Sequence, residues 1–277
     1  MTLAIAIGVG VVIGLSLGSL GGGGSILTVP ALVYLLGQTP QAATTGSLVV
    51  VGVSALIGAV GHHRSGRVRW GLGVAFGAAG IAAGFLGTAL NRMVRADVLL
   101  LAFSGLVLVA AAGMFRNARV RAAAPGRPLV RTGGGDTPSA LEGDAPAAPR
   151  WAWGRAGKVL AAGLLVGFLT GFFGVGGGVV IVPALTLALC LAMPEAVATS
   201  LVVISINSGA ALLFRATSAH IDWALILPLT AAAVVGSLAG KKIADRARAA
   251  VLTGAFAVLL VAVALYTAGT SIAGLLS

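Results

Sequence analysis

Residues 15–32 read LSLGSLGGGGSILTVPAL, in which four consecutive glycines, Gly21 to Gly24, interrupt an otherwise apolar run. Glycine in a helix interior costs about 1 kcal/mol relative to alanine, so four in succession break a helix. The break recurs at residues 168–185, FLTGFFGVGGGVVIVPAL, again with glycines, a short apolar stretch and then Val-Pro-Ala-Leu. Why a greasy segment is broken twice in the same way is the question on which fold and function turn.

The surrounding chain answers the first half. Its 277 residues are 58% hydrophobic and only 9% charged, with a mean hydropathy of +1.06. Soluble domains carry about 25% charged residues. Several apolar stretches reach the roughly 17–25 residues that a spanning helix needs, and the short alternating segments of a membrane barrel are missing. The fold class is therefore an all-α polytopic membrane protein, with the lipid bilayer as its first partner. Ten apolar segments are expected, at approximately 3–20, 25–37, 43–61, 69–91 and 97–115, then 157–173, 178–193, 196–214, 222–240 and 248–269. Between the two sets, 117–156 is rich in Pro, Gly, Ala and Arg and too poor in large apolar residues to order itself. The chain thus divides into a first transmembrane repeat (1–116), a flexible linker (117–156) and a second repeat (157–277).

The two halves match at a constant spacing, residue n with residue n + 153. Gly14, Gly18, Gly21, Gly23 and Gly24 fall on Gly167, Gly171, Gly174, Gly176 and Gly177. Val29-Pro30-Ala31-Leu32 falls on Val182-Pro183-Ala184-Leu185, Ser47-Leu48-Val49-Val50 on Ser200-Leu201-Val202-Val203, and Trp70 on Trp223. Charge sets the orientation. If each half crosses the membrane an odd number of times and the linker is cytoplasmic, 15 basic residues lie inside and 3 outside; an even number gives 12 against 6. The positive-inside rule favours the odd count. The linker is then cytoplasmic, both termini are outside, and the repeats are inverted. Parity alone leaves open whether the first two segments of each half cross or form a re-entrant hairpin.

Inverted repeats with interrupted helices point to a secondary transporter. A break at membrane depth must line a cavity or be buried in protein. The helix that restarts after each break presents free N–H groups and roughly half a positive charge at its N-terminus, which suits an anion. The candidate substrate-binding residues are Gly21, Gly22, Gly23, Gly24 and Ser25 at the first break and Gly174, Gly176, Gly177 and Gly178 at the second. Gly14, Gly18, Gly167 and Gly171 are better explained by close helix packing. Thr45, Ser47, Thr199 and Ser200, at the start of a span, either cap it or donate to an oxyanion. Asn207 and Ser208 lie deeper, where an amide either bonds a neighbouring helix or meets substrate.

All seven acids, Asp97, Asp136, Glu142, Asp144, Glu195, Asp222 and Asp245, fall in loops, in the linker or at span edges. Carboxylates inside spans mark many cation and proton pathways, so their placement argues against a cation carrier and leaves anions or neutral solutes, of which the helix N-termini favour a small anionic substrate. His62, His63 and His220 fall in loops, solvated or interfacial, and with no Cys or carboxylate cluster beside them they make no metal site. No cofactor is implied. The net charge of +11 sits in loops and linker, as the positive-inside rule expects, and does not point to nucleic acid. Cys190 lies in an apolar run and reads as a small core residue.

The residues GFFGVGGGVVIVPAL (171–185), the weaker copy GSLGGGGSILTVPAL (18–32), and ATSLVVI (198–204) followed by HIDW (220–223) resemble the TauE/SafE sulfite exporter family, also called the TSUP permeases. The likeness covers almost the whole chain except the linker. The first half departs from it, with TTGSLVV for ATSLVV and GRVRW for AHIDW. The resemblance implies a plasma-membrane transporter of sulfur-containing anions, such as sulfite, sulfonates or sulfoacetate-type compounds. A passive channel or a membrane subunit of a larger complex stands as the alternative. An enzyme is not expected, because no acid pair, metal cluster or Ser-His-Asp set lies within the spans. A homo-oligomer is compatible with all of this.

Overall fold

The computed structural model describes residues 2–63, 65–91, 93, 96–123, 150–173, 178–215 and 222–276. These form ten α-helices: α1 Thr2–Leu20, α2 Gly23–Pro30, α3 Pro40–His63, α4 Trp70–Asn91, α5 Ala96–Ala123, α6 Arg150–Phe173, α7 Gly178–Leu187, α8 Met193–Arg215, α9 Trp223–Arg246 and α10 Ala249–Leu276. Five of them contain stretches long and apolar enough to cross a membrane: Ala42–His63, Trp70–Leu90, Met193–Leu213, Trp223–Arg246 and Ala249–Tyr266. Large apolar side chains such as Phe85, Leu165, Val235 and Tyr266 face outward, as they do where lipid replaces water. Both ends of the expected linker are helical, since α5 runs to Ala123 and α6 starts at Arg150; 124–149 lie outside the described residues.

Each short helix has a local cause. Gly21 ends α1 at φ +75, a left-handed conformation that glycine adopts without Cβ strain. Pro30 lacks the N–H that would continue α2. The helix widens there into a π turn, Ala31–Leu35. It closes at Gly37, φ +65, with Gln38 N–H donating to the Leu32 carbonyl at 3.0 Å. The second half repeats this ending. α7 stops at Leu187 rather than running on to 193, and Leu191 N–H donates to the Leu185 carbonyl at 3.1 Å. Cys190, at φ 54, stands where the first half has Gly37. It is exposed and not a core residue; the apolar run around it misleads because the helix has already ended.

Glycine contacts give the helix directions. Gly10, Gly14 and Gly18 of α1 face Leu229, Ala233 and Ser237 of α9, so these helices run the same way. A Cβ on Gly14 or Gly18 would collide with the carbonyl of Ala233 or Ser237. The equivalent contacts join Gly163, Gly167 and Gly171 of α6 to Phe76, Gly80 and Gly84 of α4. Every one of these residues is 153 positions from its counterpart. Close approach through small residues is how membrane helices gain contact when lipid is as apolar as leucine. Gly46 and Gly61 of α3 face Ile226 and Leu238, so α3 also runs with α9. Gly73 and Gly77 of α4 face Val202 and Ile206, so α4 runs with α8. Gly52 faces Ser208 and Gly58 faces Leu201, so α3 and α8 are antiparallel. α2 doubles back on α1: Gly24 packs on Ile13 and Leu17, and an apolar groove of about 620 Å³ has Tyr34 and Leu35 on one wall and Ile5 on the other.

Candidate functional site

The two breaks meet. A Cβ on Gly22 would fall on the backbone of Gly178, and one on Gly178 would lie 2.6 Å from both the Cα and the carbonyl oxygen of Gly22. The start of α7 therefore touches the turn that leads into α2. Only residues without a side chain allow this approach. Gly21, Gly22, Ser25 and Gly178 meet at this junction, whereas Gly24 packs on Ile13 and Leu17 of α1. Gly23 packs beside Leu20 and the end of the Leu259 side chain. Gly174, Gly176 and Gly177 lie outside the described residues.

Two hydroxyls stand at the junction. Ser25, 8% exposed, donates to the Gly22 carbonyl at 2.8 Å, and its Oγ lies 2.6 Å from where a Gly178 Cβ would be. Ser200, fully buried, donates to the Val197 carbonyl at 2.8 Å, and its Oγ lies 2.5 Å from where a Gly21 Cβ would be. Both serines thus satisfy their protons within their own helix and sit against the opposite break. The starts of α2 and α7 also carry amide groups that have no carbonyl four residues back in their own helix. Among the described residues, the junction holds these hydroxyls and helix-start amides and no carboxylate.

The other expected residues are placed elsewhere. Ser47 donates to the Thr44 carbonyl at 2.8 Å, and Thr45 is buried beside it on α3. With α3 starting at Pro40 and α8 at Met193, none of the four hydroxyls is a cap. Thr199 accepts from the Arg69 N–H at 3.3 Å, on the face of α8 turned to α4. Arg69 also donates from Nε and Nη2 to Glu195 at 3.3 and 3.4 Å, tying the α3–α4 connection to α8. Arg67 of the same connection pairs with Asp245 of α9, which Lys241 also reaches at 3.4 Å. Asn207 lies beside Gly80 of α4, and its Oδ1 is buried without a partner.

His62 is not solvated or interfacial. It is 1% exposed, and neither ring nitrogen has a partner. His63, its neighbour, instead accepts from the Trp70 indole N–H at 3.0 Å; His220 lies outside the described residues. Adjacent helix residues point about 100° apart, so the dipeptide alone does not tell which histidine turns inward. A helical register carried through α3 to its end would have done so.

The family model described as "Sulfite exporter TauE/SafE" matches residues 6–267. A "Probable membrane transporter protein" of Xylella fastidiosa (strain 9a5c) is 31% identical over 279 residues, covering 100% of this chain and 98% of the relative. The "Probable membrane transporter protein YunE" of Bacillus subtilis (strain 168) is 27% identical over 252 residues, covering 88% and 89%. No solved structure matches the chain. With ten helices among the described residues, five of them containing spans long enough to cross a membrane, and a family match over nearly its whole length, the chain belongs to the TauE/SafE sulfite exporter family of membrane transporters.

Proposed function

We propose that the protein is a secondary carrier that moves a small sulfur-containing anion (sulfite, a sulfonate or a related organosulfur anion) across the plasma membrane. The anion is held where the two glycine breaks meet. The observation that carries this reading is the contact between Gly22 and Gly178: one short helix from each half begins at the same point. Two helix N-termini converging there place positive partial charge and N–H donors around one ligand. Ser25 and Ser200 add hydroxyls that turn to the anion by rotation about χ1. Gly174, Gly176 and Gly177 complete the second break. Thr45, Ser47, Thr199 and Asn207 support the helices around the junction.

The halves act as inverted repeats in this reading. α1, α3 and α9 run one way and α4, α6 and α8 the other, so α1, α3 and α4 run opposite to their counterparts α6, α8 and α9, which supports an axis in the membrane plane. The basic linker then lies in the cytoplasm and both termini outside, with α1–α2 and α6–α7 as hairpins. The breaks touch, so an anion enters only when α2 and α7 part. Movement of one half against the other supplies that step, which is alternating access.

The test is flux of radiolabelled sulfite and thiosulfate in proteoliposomes holding the full chain. The reading expects saturable uptake that is lost in Gly22→Leu. Flux that rises without saturation would make the protein a channel, and no flux of any sulfur anion would remove the substrate class.

A further inference from the structure

Carriers need a source of energy, and the carboxylates of the described spans, Glu195 and Asp245, lie near helix ends and are held in ion pairs. His62 is the buried titratable side chain that the anion site leaves unused. It sits in the last turn of α3, 1% exposed, with Nδ1 and Nε2 both unpartnered. A neutral imidazole has one donor and one acceptor, and burying them without a protein partner carries the desolvation cost of each. An ionisable residue in a membrane span is a functional site by default.

Its surroundings explain what it is for. Asp245 and Lys241 from α9 and Arg67 from the connection to α4 lie within electrostatic reach of the ring, and the backbone of Gly18 from α1 lies against it. α1 has no titratable side chain between Thr2 and Leu20. α8 contributes Glu195, which Arg69 holds. Gly18 lies three residues before Gly21, where α1 breaks. The ring therefore lies against the helix that leads to the anion junction and within electrostatic reach of an ion-paired carboxylate, Asp245.

We propose that His62 is a proton-binding site whose protonation accompanies anion movement at the junction. The proton comes from solvent, bonds to the free lone pair of one ring nitrogen, and leaves to solvent on the other side of the membrane after the anion has moved. The protonated ring has two N–H donors. One is directed to Asp245, loosening its hold on Arg67 and so the α3–α4 connection. The other is directed to the Gly18 backbone at the foot of the break. Imidazole is the side chain whose charge changes in the physiological range. The coupling half of the proposal rests on the carrier reading; the proton site does not.

Two measurements separate the halves. The first is a titration of full-length protein by NMR with ¹⁵N-labelled histidine, the His62 signals being those lost in His62→Gln. The proposal expects His62 to titrate between pH 5 and 9, with a midpoint that moves in Asp245→Asn. A ring that keeps one protonation state over that range overturns it, whatever the protein transports. The second follows thiosulfate efflux and internal pH together in proteoliposomes. Wild type should move protons with thiosulfate in a fixed ratio. His62→Gln should pass thiosulfate downhill with proton movement lost and with a flattened pH profile. A His62→Gln protein that keeps the wild-type proton-to-thiosulfate ratio overturns the coupling. Wild-type vesicles that pass no thiosulfate, sulfite or sulfonate end the carrier reading and its coupling, while the NMR titration still decides the proton site.

Discussion

At the residue scale, the four glycines of the first break are not equivalent. A Cβ on Gly22 meets backbone, which cannot move aside, whereas one on Gly23 meets the far end of Leu259 at 2.7 Å. Gly22→Ala should therefore destabilise the purified protein by about 1–3 kcal/mol or more. Gly23→Ala should stay within about 1 kcal/mol; thermal unfolding in detergent distinguishes them. Cys190 gives the opposite case. It holds a left-handed φ that its counterpart supplies as Gly37, and such a conformation costs an L-residue about 1–2 kcal/mol. Cys190→Gly should raise the melting temperature. This was legible in part: the spacing of 153 sets Cys190 opposite Gly37, a stronger signal than the apolar run around it. The Gly22–Gly178 contact was not legible, because it joins residues 156 positions apart and depends on how two hairpins cross.

At the scale of elements, the ten helices fall where hydropathy places them, with ends shifted by a few residues. Hydropathy does not see Pro30 widening α2, nor the turn that stops α7 at Leu187. Nor does it see α5 and α6 running into the linker, because Ala and Arg favour helix even where nothing apolar remains to bury. That Gly14, Gly18, Gly167 and Gly171 are packing residues was legible from their spacing of four; that their partners are α9 and α4 was not. Gly14→Ala and Gly167→Ala should each separate a helix pair and cost about 2 kcal/mol or more, as overpacked sites do. Gly8 lies on the same helix as Gly14 and has nothing within 4 Å of a built Cβ. Gly8→Ala should be neutral or stabilising by up to about 1 kcal/mol. If the two α1 variants behaved alike, the glycines would not be packing residues. Circular dichroism melts of the three proteins make the comparison.

At the scale of the molecule, the two halves pack along several helix pairs and their two glycine breaks meet at one junction, from which the carrier reading follows. The reading fixes an orientation. In a Cys190→Gly background, which removes the single native cysteine, a cysteine at Ser139 should react with an impermeant thiol reagent only from the cytoplasmic side. One at Thr2 or Ser277 should react only from outside. Labelling of linker and termini from the same side would mean an even number of crossings per half. The duplication was legible in the sequence because glycine and proline positions repeat at a spacing of 153; the parity is an expectation from the placement of basic residues, which this labelling tests. Substrate identity was not, because backbone N–H groups bind anions and leave no side-chain signature. The most direct measurement of the central claim is therefore thermal unfolding of the purified chain with sulfite, sulfate, thiosulfate, methanesulfonate, acetate, sodium chloride and a neutral sugar. A ligand at one hundred times its Kd stabilises the folded state by about 2.7 kcal/mol. The account predicts a rise in melting temperature with a sulfur oxyanion, and a smaller rise when Ser25 and Ser200 are both alanine. Stabilisation by a cation or the sugar, with none from any sulfur anion, would contradict it.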